Sequence, residues 1–121
     1  MLRRQQIILH LLKSHGSPME TIRLVKLAFL LRQEASIPSD IPFYDFVPFK
    51  KGPYSFTMNH EIGNLEKHGY LSKRNDMVQL LSADKKLESI LPESLVRSFE
   101  PMLRHYHAMK TDAIVSMIYR R

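Results

Sequence analysis

The chain contains no cysteine and no tryptophan, and only four of its 121 residues are glycine. The absence of cysteine excludes disulfides, thiolate nucleophiles and cysteine-ligated metal sites. No apolar run approaches the roughly 18 residues that a membrane-spanning helix needs. The basic and apolar start of the chain resembles a signal peptide, but Gln5, Gln6 and His10 interrupt it. We therefore expect a cytoplasmic protein with no membrane partner.

The charge of the chain is unbalanced towards the basic side. Lysine and arginine number 18 against 12 aspartates and glutamates, which gives a formal net charge of +6. A basic domain favours anionic partners, such as nucleic acid, an acidic protein or a membrane surface. The length suffices for one hydrophobic core, and the apolar fraction of 44% is typical of a folded globular domain.

Two helices are predicted at the start of the chain. The first covers residues 2–14, where the apolar residues line one helical face, and it ends near Gly16. The segment Ser17-Pro18-Met19-Glu20 combines a capping residue, a proline suited to the first turn and an acid that can bond back to the cap. It predicts that the second helix begins at Ser17. That helix is apolar over most of its circumference, so we expect it at the centre of the core.

The middle of the chain is dominated by the aromatic segment FYDFVPFKKGPYSF at residues 43–56. Its alternation predicts an extended piece with a turn at residues 51–53, and its aromatic side chains are expected to fill the core. A third helix is predicted over residues 54–68, with Ser55 as its cap and Gly69 at its end. Residues 70–81 then predict a β-hairpin with a basic tip.

Further helices complete the predicted fold. One runs from Ser82 to about Leu91, an amphipathic one follows Pro92, and a short one begins at Thr111. The order of elements predicts a mainly α (α+β) fold, a winged helix-turn-helix-like domain with a small β-hairpin wing and additional C-terminal helices. Residues 1–91 would form the winged-helix part, and residues 92–121 an extension within one compact domain.

One stretch resembles a known family. The segment FVPFKKGPYS at residues 46–55, followed by Ile62, Leu65 and the Gly-Tyr-Leu at residues 69–71, is similar to a pattern of the SocA-like (Panacea-type) antitoxin and YwgA-like winged-helix family. The preceding KLAFL at residues 26–30 resembles that family's K-L-x-x-L pattern. The resemblance implies a winged-helix-like fold and, for some members, toxin neutralisation. It implies no enzymatic activity.

A candidate DNA-binding surface is predicted on the third helix and the hairpin. His60, Asn64 and Lys67 recur on the face opposite the helix's apolar residues, and Asn can read adenine while Lys and His meet bases or phosphates. The candidate set is Ser55, Thr57, His60, Asn64, Lys67, Lys73, Arg74, Lys50 and Lys51, and Arg3 and Arg4 are either further phosphate contacts or helix decoration. A solvated face explains the same helix residues, and Glu61 and Glu66 flank them and dilute any positive field.

Neither a metal site nor catalysis is predicted. His60, Asn64 and His68 follow one another at one-turn spacing, but no acidic residue or cysteine completes a ligand set. No phosphate-binding loop, dinucleotide fingerprint or hydrolase elbow is present. We therefore expect no metal, no cofactor and no enzymatic activity.

The C-terminal helices carry more apolar surface than a minimal winged helix needs. This surface predicts either a self-association face of a homodimer or packing within the monomer, and its residues are Leu95, Phe99, Met102, Tyr106 and Ile118. Two functional hypotheses follow. The chain is a winged-helix protein that binds double-stranded DNA, as a regulator or antitoxin-like protein, or it is an interaction module, such as an antitoxin or adaptor, that holds a protein partner such as a toxin.

Overall fold

Five helices and two small antiparallel sheets make up the part of the chain that the computed structural model describes, residues 1–50, 52–81 and 91–120. In chain order the elements are α1 (Arg3–His15), β1 (Met19–Glu20), α2 (Thr21–Glu34), β2 (Val47–Phe49), β3 (Gly52–Tyr54), α3 (Phe56–Lys67), β4 (Leu71–Arg74), β5 (Met77–Leu80), α4 (Glu93–His107) and α5 (Thr111–Tyr119). None of the helices in these ranges is long and apolar enough to cross a bilayer.

The α2 helix lies at the centre of the core, as its apolar circumference predicts. Its buried positions are Leu24, Val25, Lys26, Leu27, Ala28, Leu30 and Leu31. The α1 helix packs against it with Ile7, Ile8, Leu11 and Leu12, none of which has exposed surface. Lys26 is the exception within this apolar set, and it is only 2% exposed.

The predicted start of α2 is wrong. The helix begins at Thr21, not at Ser17, and the residues before it form β1, which pairs antiparallel with β5. The Ser17 hydroxyl accepts a hydrogen bond from the Leu80 backbone N–H at 2.7 Å instead of capping a helix. The cause is the open edge of β5, whose unpaired backbone groups need partners. This long-range pairing outweighs the local capping pattern.

The predicted hairpin is confirmed as β4 and β5, and β5 also pairs with β1, so that the strand order is β1-β5-β4. Its tip is shorter than predicted. Arg74 belongs to β4, and Asn75 turns the chain with a φ of 53°, a left-handed conformation that asparagine tolerates. The Asp76 carbonyl accepts from the Thr21 backbone N–H at 2.7 Å. This bond attaches the tip to the start of α2.

The C-terminal helices pack on the same core as the N-terminal ones. Phe99 and Tyr106 of α4 are at most 1% exposed, and α4 contacts α1 and α2. Leu95, Met102 and Ile118 are also buried. All five residues predicted as a dimer face are thus covered within one chain, so the self-association face is corrected in favour of packing inside the monomer. The helix predicted from Ser82 lies outside the described residues.

The guanidinium of Arg23 joins four helices. From α2 it donates to the His15 ring in α1, to the Tyr106 carbonyl oxygen in α4 at 3.0 Å, and to the Thr111 hydroxyl in α5 at 3.2 Å. The Thr111 hydroxyl donates in turn to the Glu20 carboxylate. Arg23 therefore acts as a polar tie at the place where the helix ends converge.

His15 is the buried partner in this arrangement, with 6% of its surface exposed. Its Nε2 atom accepts from the Arg23 Nε atom at 3.1 Å, so the neutral ring carries its proton on Nδ1, which has no hydrogen-bond partner among the described residues. Burial above all, and then the neighbouring Arg23 and His107, lower the pKa of His15 to about 4.

Stability is therefore expected to fall in mild acid. An unfolded histidine binds a proton below about pH 6.5, whereas folded His15 stays neutral until about pH 4. The free energy of unfolding should then decrease as the pH falls through this window, by on the order of 2–3 kcal/mol in total. At pH values above the window, His15 should have no effect on the pH dependence. Urea unfolding at several pH values measures this. A His15→Gln variant, which does not titrate, should show a weaker pH dependence, and an equal one would contradict the assignment.

The role of α4 in the core is tested by a matched pair of phenylalanines. Phe99 has no exposed surface and Phe56 is 58% exposed. Phe99→Ala should lower the free energy of unfolding by about 3–5 kcal/mol because it leaves a cavity. Phe56→Ala should cost at most about 1 kcal/mol, since it leaves none. Equal losses in urea unfolding would mean that α4 does not belong to the core.

Candidate nucleic-acid interface and the adjoining cleft

The ends of α3 form as the sequence predicts. The Ser55 hydroxyl accepts from the Met58 backbone N–H at 3.1 Å and caps the first turn. At the other end Gly69 has a φ of 82°, and the Tyr70 backbone N–H donates to the Leu65 carbonyl at 3.0 Å. Ser55 is only 2% exposed, however. Its place in the predicted DNA-binding set is therefore wrong, because its hydroxyl is used inside the fold.

The outer face of α3 carries the remaining predicted residues of that helix. Met58, Ile62 and Leu65 are buried, which turns the opposite side of the helix outwards. Thr57, His60 and Lys67 are exposed, and Asn64 is half-buried. The structure thus brings four sequence-predicted candidates onto one accessible surface, which we call the α3 face.

Glu61 does not flank this face, contrary to expectation. It is 5% exposed and points inwards, where it accepts from the Arg4 Nε atom at 3.0 Å and from the Tyr44 hydroxyl at 2.6 Å. The Arg4 Nη2 atom completes a two-point ion pair with the same carboxylate. Arg4 is therefore occupied by Glu61 and is corrected from a candidate phosphate contact to a structural partner. The α3 face thus lacks one of the two negative charges that the sequence predicts beside it.

The environment of this cluster fixes its charge states. Burial and then the bond to Glu61 raise the pKa of the Tyr44 hydroxyl, which is 1% exposed. The hydrogen bond from Arg4 to Glu61 raises the pKa of the guanidinium, whose carbon lies 5.1 Å from the centre of the Tyr44 ring. Tyr44 thus stays protonated, and Arg4 and Glu61 neutralise each other. The cluster contributes no net charge near the α3 face.

The β4–β5 hairpin lies beside α3 and is tied to it. The Glu66 carboxylate accepts from the Lys73 backbone N–H at 2.9 Å, which positions β4 against the end of α3. The side chains of Lys73 and Arg74 are exposed. Their role as phosphate contacts stays a prediction. Glu66 is the one carboxylate of α3 that remains at the surface, because Glu61 is buried.

An exposed aromatic cluster lies at the start of α3. Phe49 is 47% exposed and Phe56 is 58% exposed, although the sequence predicts that these rings fill the core. Together with Tyr54 they form three ring contacts with centroids 5.1–5.4 Å apart, and we call these three residues the aromatic patch. The Lys50 Nζ atom lies 5.9 Å from the centre of the Phe49 ring. Lys51, also predicted as a contact, lies outside the described residues.

Phe49 is exposed because it belongs to β2, whose side chains face solvent, and Phe56 is exposed on the first turn of α3, opposite its buried side. The aromatic residues earlier in the segment behave as predicted. Tyr44 is buried, and Phe43 and Phe46 pack against the core. The prediction that this segment fills the core is thus correct for its first half and for Tyr54, which is partly buried against the core, and wrong for Phe49 and Phe56.

A cleft of about 620 Å³ adjoins the patch between α2, the β2–β3 hairpin and the start of α5. Lys26 lies on its wall, and its ammonium donates to the Pro53 carbonyl oxygen at 2.7 Å. Burial lowers the pKa of this ammonium. Sequence reasoning gave Lys26 no functional role. The sequence does hold a signal for Lys26, because it is the single charged residue in the apolar stretch LVKLAFLL, and the burial of a lysine is energetically unfavourable.

Within the described ranges, no three metal-ligating side chains of His, Asp or Glu lie close enough together to hold an ion. Comparison with protein-family models, with curated proteins and with solved structures finds no match for this chain. The resemblance of FVPFKKGPYS and KLAFL to the antitoxin family therefore stays a prediction. Function is argued below from the geometry of the α3 face, the aromatic patch and the cleft.

The inward position of Glu61 can be tested by removing its charge. Glu61→Gln leaves the Arg4 guanidinium unpaired, and since 23% of that side chain reaches solvent the expected loss of unfolding free energy is about 2–3 kcal/mol. The control is Glu66→Gln, the exposed carboxylate on the same helix, which should cost less than about 1 kcal/mol. Equal midpoints in thermal or urea unfolding would show that Glu61 is not paired in the core.

Proposed function

We propose that the chain is a winged-helix DNA-binding protein, a transcriptional regulator or a DNA-binding antitoxin-like protein. The carrying observation is the order α1-β1-α2-β2-β3-α3-β4-β5, in which β1 pairs with β5 and the β4–β5 hairpin directly follows α3. Glu61, which would flank the polar α3 face, is turned into the core. In this proposal α3 enters the major groove and the β4–β5 hairpin is the wing. The expected location is the cytoplasm, and no catalytic step, cofactor or dimer is required.

The distribution of polar groups supports this assignment. Asn64 on the α3 face can pair with an adenine edge, and Lys67 and His60 can meet phosphate or guanine. Lys73 and Arg74 would contact the backbone, which positions the protein without reading sequence. Lys50 adds a cation near the start of α3, and the net charge of +6 favours a polyanion overall.

One feature differs from a compact helix-turn-helix. There the two helices are joined by about three or four residues, whereas residues 35–55 separate α2 from α3 here. The insertion does not cover the α3 face, whose residues remain accessible. It supplies Phe49 and Tyr54 of the aromatic patch at the start of α3, where the patch would lie next to bound DNA.

Salt-dependent binding tests this function. Anisotropy of a labelled duplex of roughly two helical turns should show binding at about 50 mM salt that weakens steeply towards about 200 mM, because bound counterions are released. Lys67→Ala and Lys73→Ala should each reduce the salt slope by about one. Lys110→Ala, the same change before α5, is the control and should leave the slope unchanged. Absence of salt-sensitive binding at low ionic strength would refute the proposal.

The aromatic patch favours a second candidate function, a protein-interaction module. Clustered exposed rings are rare on proteins without partners and are typical of binding hot spots. The partner would present an apolar surface, as a toxin held by an antitoxin would. A stoichiometric protein co-purified from the native source should then be lost with Phe49→Ala and retained with Lys67→Ala. Co-purified material that is instead retained with Phe49→Ala and lost with Lys67→Ala would favour DNA.

A further inference from the structure

The cleft beside Lys26 has two ends of opposite charge. Its floor follows α2 from Thr21 to Lys26, a rise of roughly 7–8 Å at 1.5 Å per residue. Lys26 and Lys50 line one end, and Glu20, Asp76 and Asp112 line the other. Ile22, Val25 and Val115 supply apolar surface.

The cationic end has hydrogen-bonding capacity to spare. Lys26 is 2% exposed, and its ammonium has three N–H donors, of which the Pro53 carbonyl takes one. No carboxylate of the described residues forms an ion pair with it. Because a buried ammonium without a counter-charge is unfavourable, this end of the cleft is suited to an anionic group.

The acidic end is held in place by the fold. Thr21 donates from its backbone N–H and its hydroxyl to the Asp76 carbonyl at 2.7 and 3.1 Å, which holds Asp76 against the start of α2. The Glu20 carboxylate accepts from the Thr111 hydroxyl, and Asp112 follows in the first turn of α5. None of the three carboxylates forms a salt bridge with a cation of the described residues. This end suits a cation.

We propose that the cleft binds a free α-amino acid with an apolar side chain. The ligand carboxylate bonds to Lys26, its ammonium faces the carboxylates of Glu20, Asp76 and Asp112, and its side chain packs on Val25 and Val115. The volume lies within the usual range of ligand sites.

Other ligand classes fit the cleft less well. A phosphate or a nucleotide would be repelled by the carboxylates of Asp76 and Asp112, and also by Glu20, whose charge Arg23 offsets only in part. A wholly apolar ligand would bury the Lys26 ammonium further and leave its donors unused. A simple cation would satisfy the acidic end and leave Lys26 unpaired. Only a ligand with both charges pairs the two ends.

Calorimetric titration with three related probes tests the proposal. L-leucine should bind, whereas N-acetyl-L-leucine, which lacks the ammonium, and L-leucinamide, which lacks the carboxylate, should each bind at least about tenfold more weakly, since one end of the cleft is then unpaired. The proposal would be overturned if L-leucine at millimolar concentration gave no heat of binding that saturates. Equal binding of L-leucinamide would also overturn it.

Two variants and a control complete the test. Lys26→Met keeps the apolar stem of the side chain and removes its charge, so it should abolish L-leucine binding. Asp112→Asn alters an exposed residue, which leaves the fold intact, and should weaken binding several-fold. Lys67→Met makes the matched change on α3 and should bind as the wild type does. Unchanged affinity in both Lys26→Met and Asp112→Asn would overturn the assignment. If Lys26→Met does not fold, the affinity of Asp112→Asn and the comparison with L-leucinamide decide the question.

Discussion

The ion pair between Arg4 and Glu61 determines which side of α3 reaches solvent. A glutamate can be buried only if its charge is compensated, and here a residue of α1 and the Tyr44 hydroxyl compensate it. This pairing and the apolar residues on the same inner side of α3 together fix the rotation of the helix about its axis. The same contact removes a carboxylate from the outer side. One interaction thus sets both the packing of the helix and the electrostatic character of its surface.

The parts that sequence reasoning predicts correctly are those in which local pattern and tertiary packing agree. The apolar circumference of α2, the cap formed by Ser55 and the glycine end of α3 each depend on neighbours within one or two turns. The β4–β5 hairpin is similar, since its strands are adjacent in sequence. For these elements the local preference already describes the final structure.

The parts that it misses depend on distant residues. Glu61 is paired with Arg4, which is 57 positions away. The Ser17 hydroxyl bonds to the backbone N–H of Leu80, 63 positions away, instead of capping a helix. The exposure of Phe49 and Phe56 has a different cause. Alternating aromatic residues indicate an extended strand, but they do not reveal that the β2 side chains face solvent or that Phe56 begins a helix with its ring exposed. Lys26 carried a readable signal, a charge in an apolar helix, whose partner could not be inferred.

The contact between Lys26 and the β2–β3 hairpin has an evolutionary consequence. Gly52 has a φ of 95°, and a Cβ atom there would lie 3.6 Å from the Lys26 Nζ atom and 3.7 Å from the Tyr119 ring. A side chain at position 52 would be strained by this φ, and its Cβ atom would touch Lys26 and Tyr119 at ordinary van der Waals distance. Position 52 is therefore expected to stay glycine in relatives of this chain, because its positive φ strains any other residue.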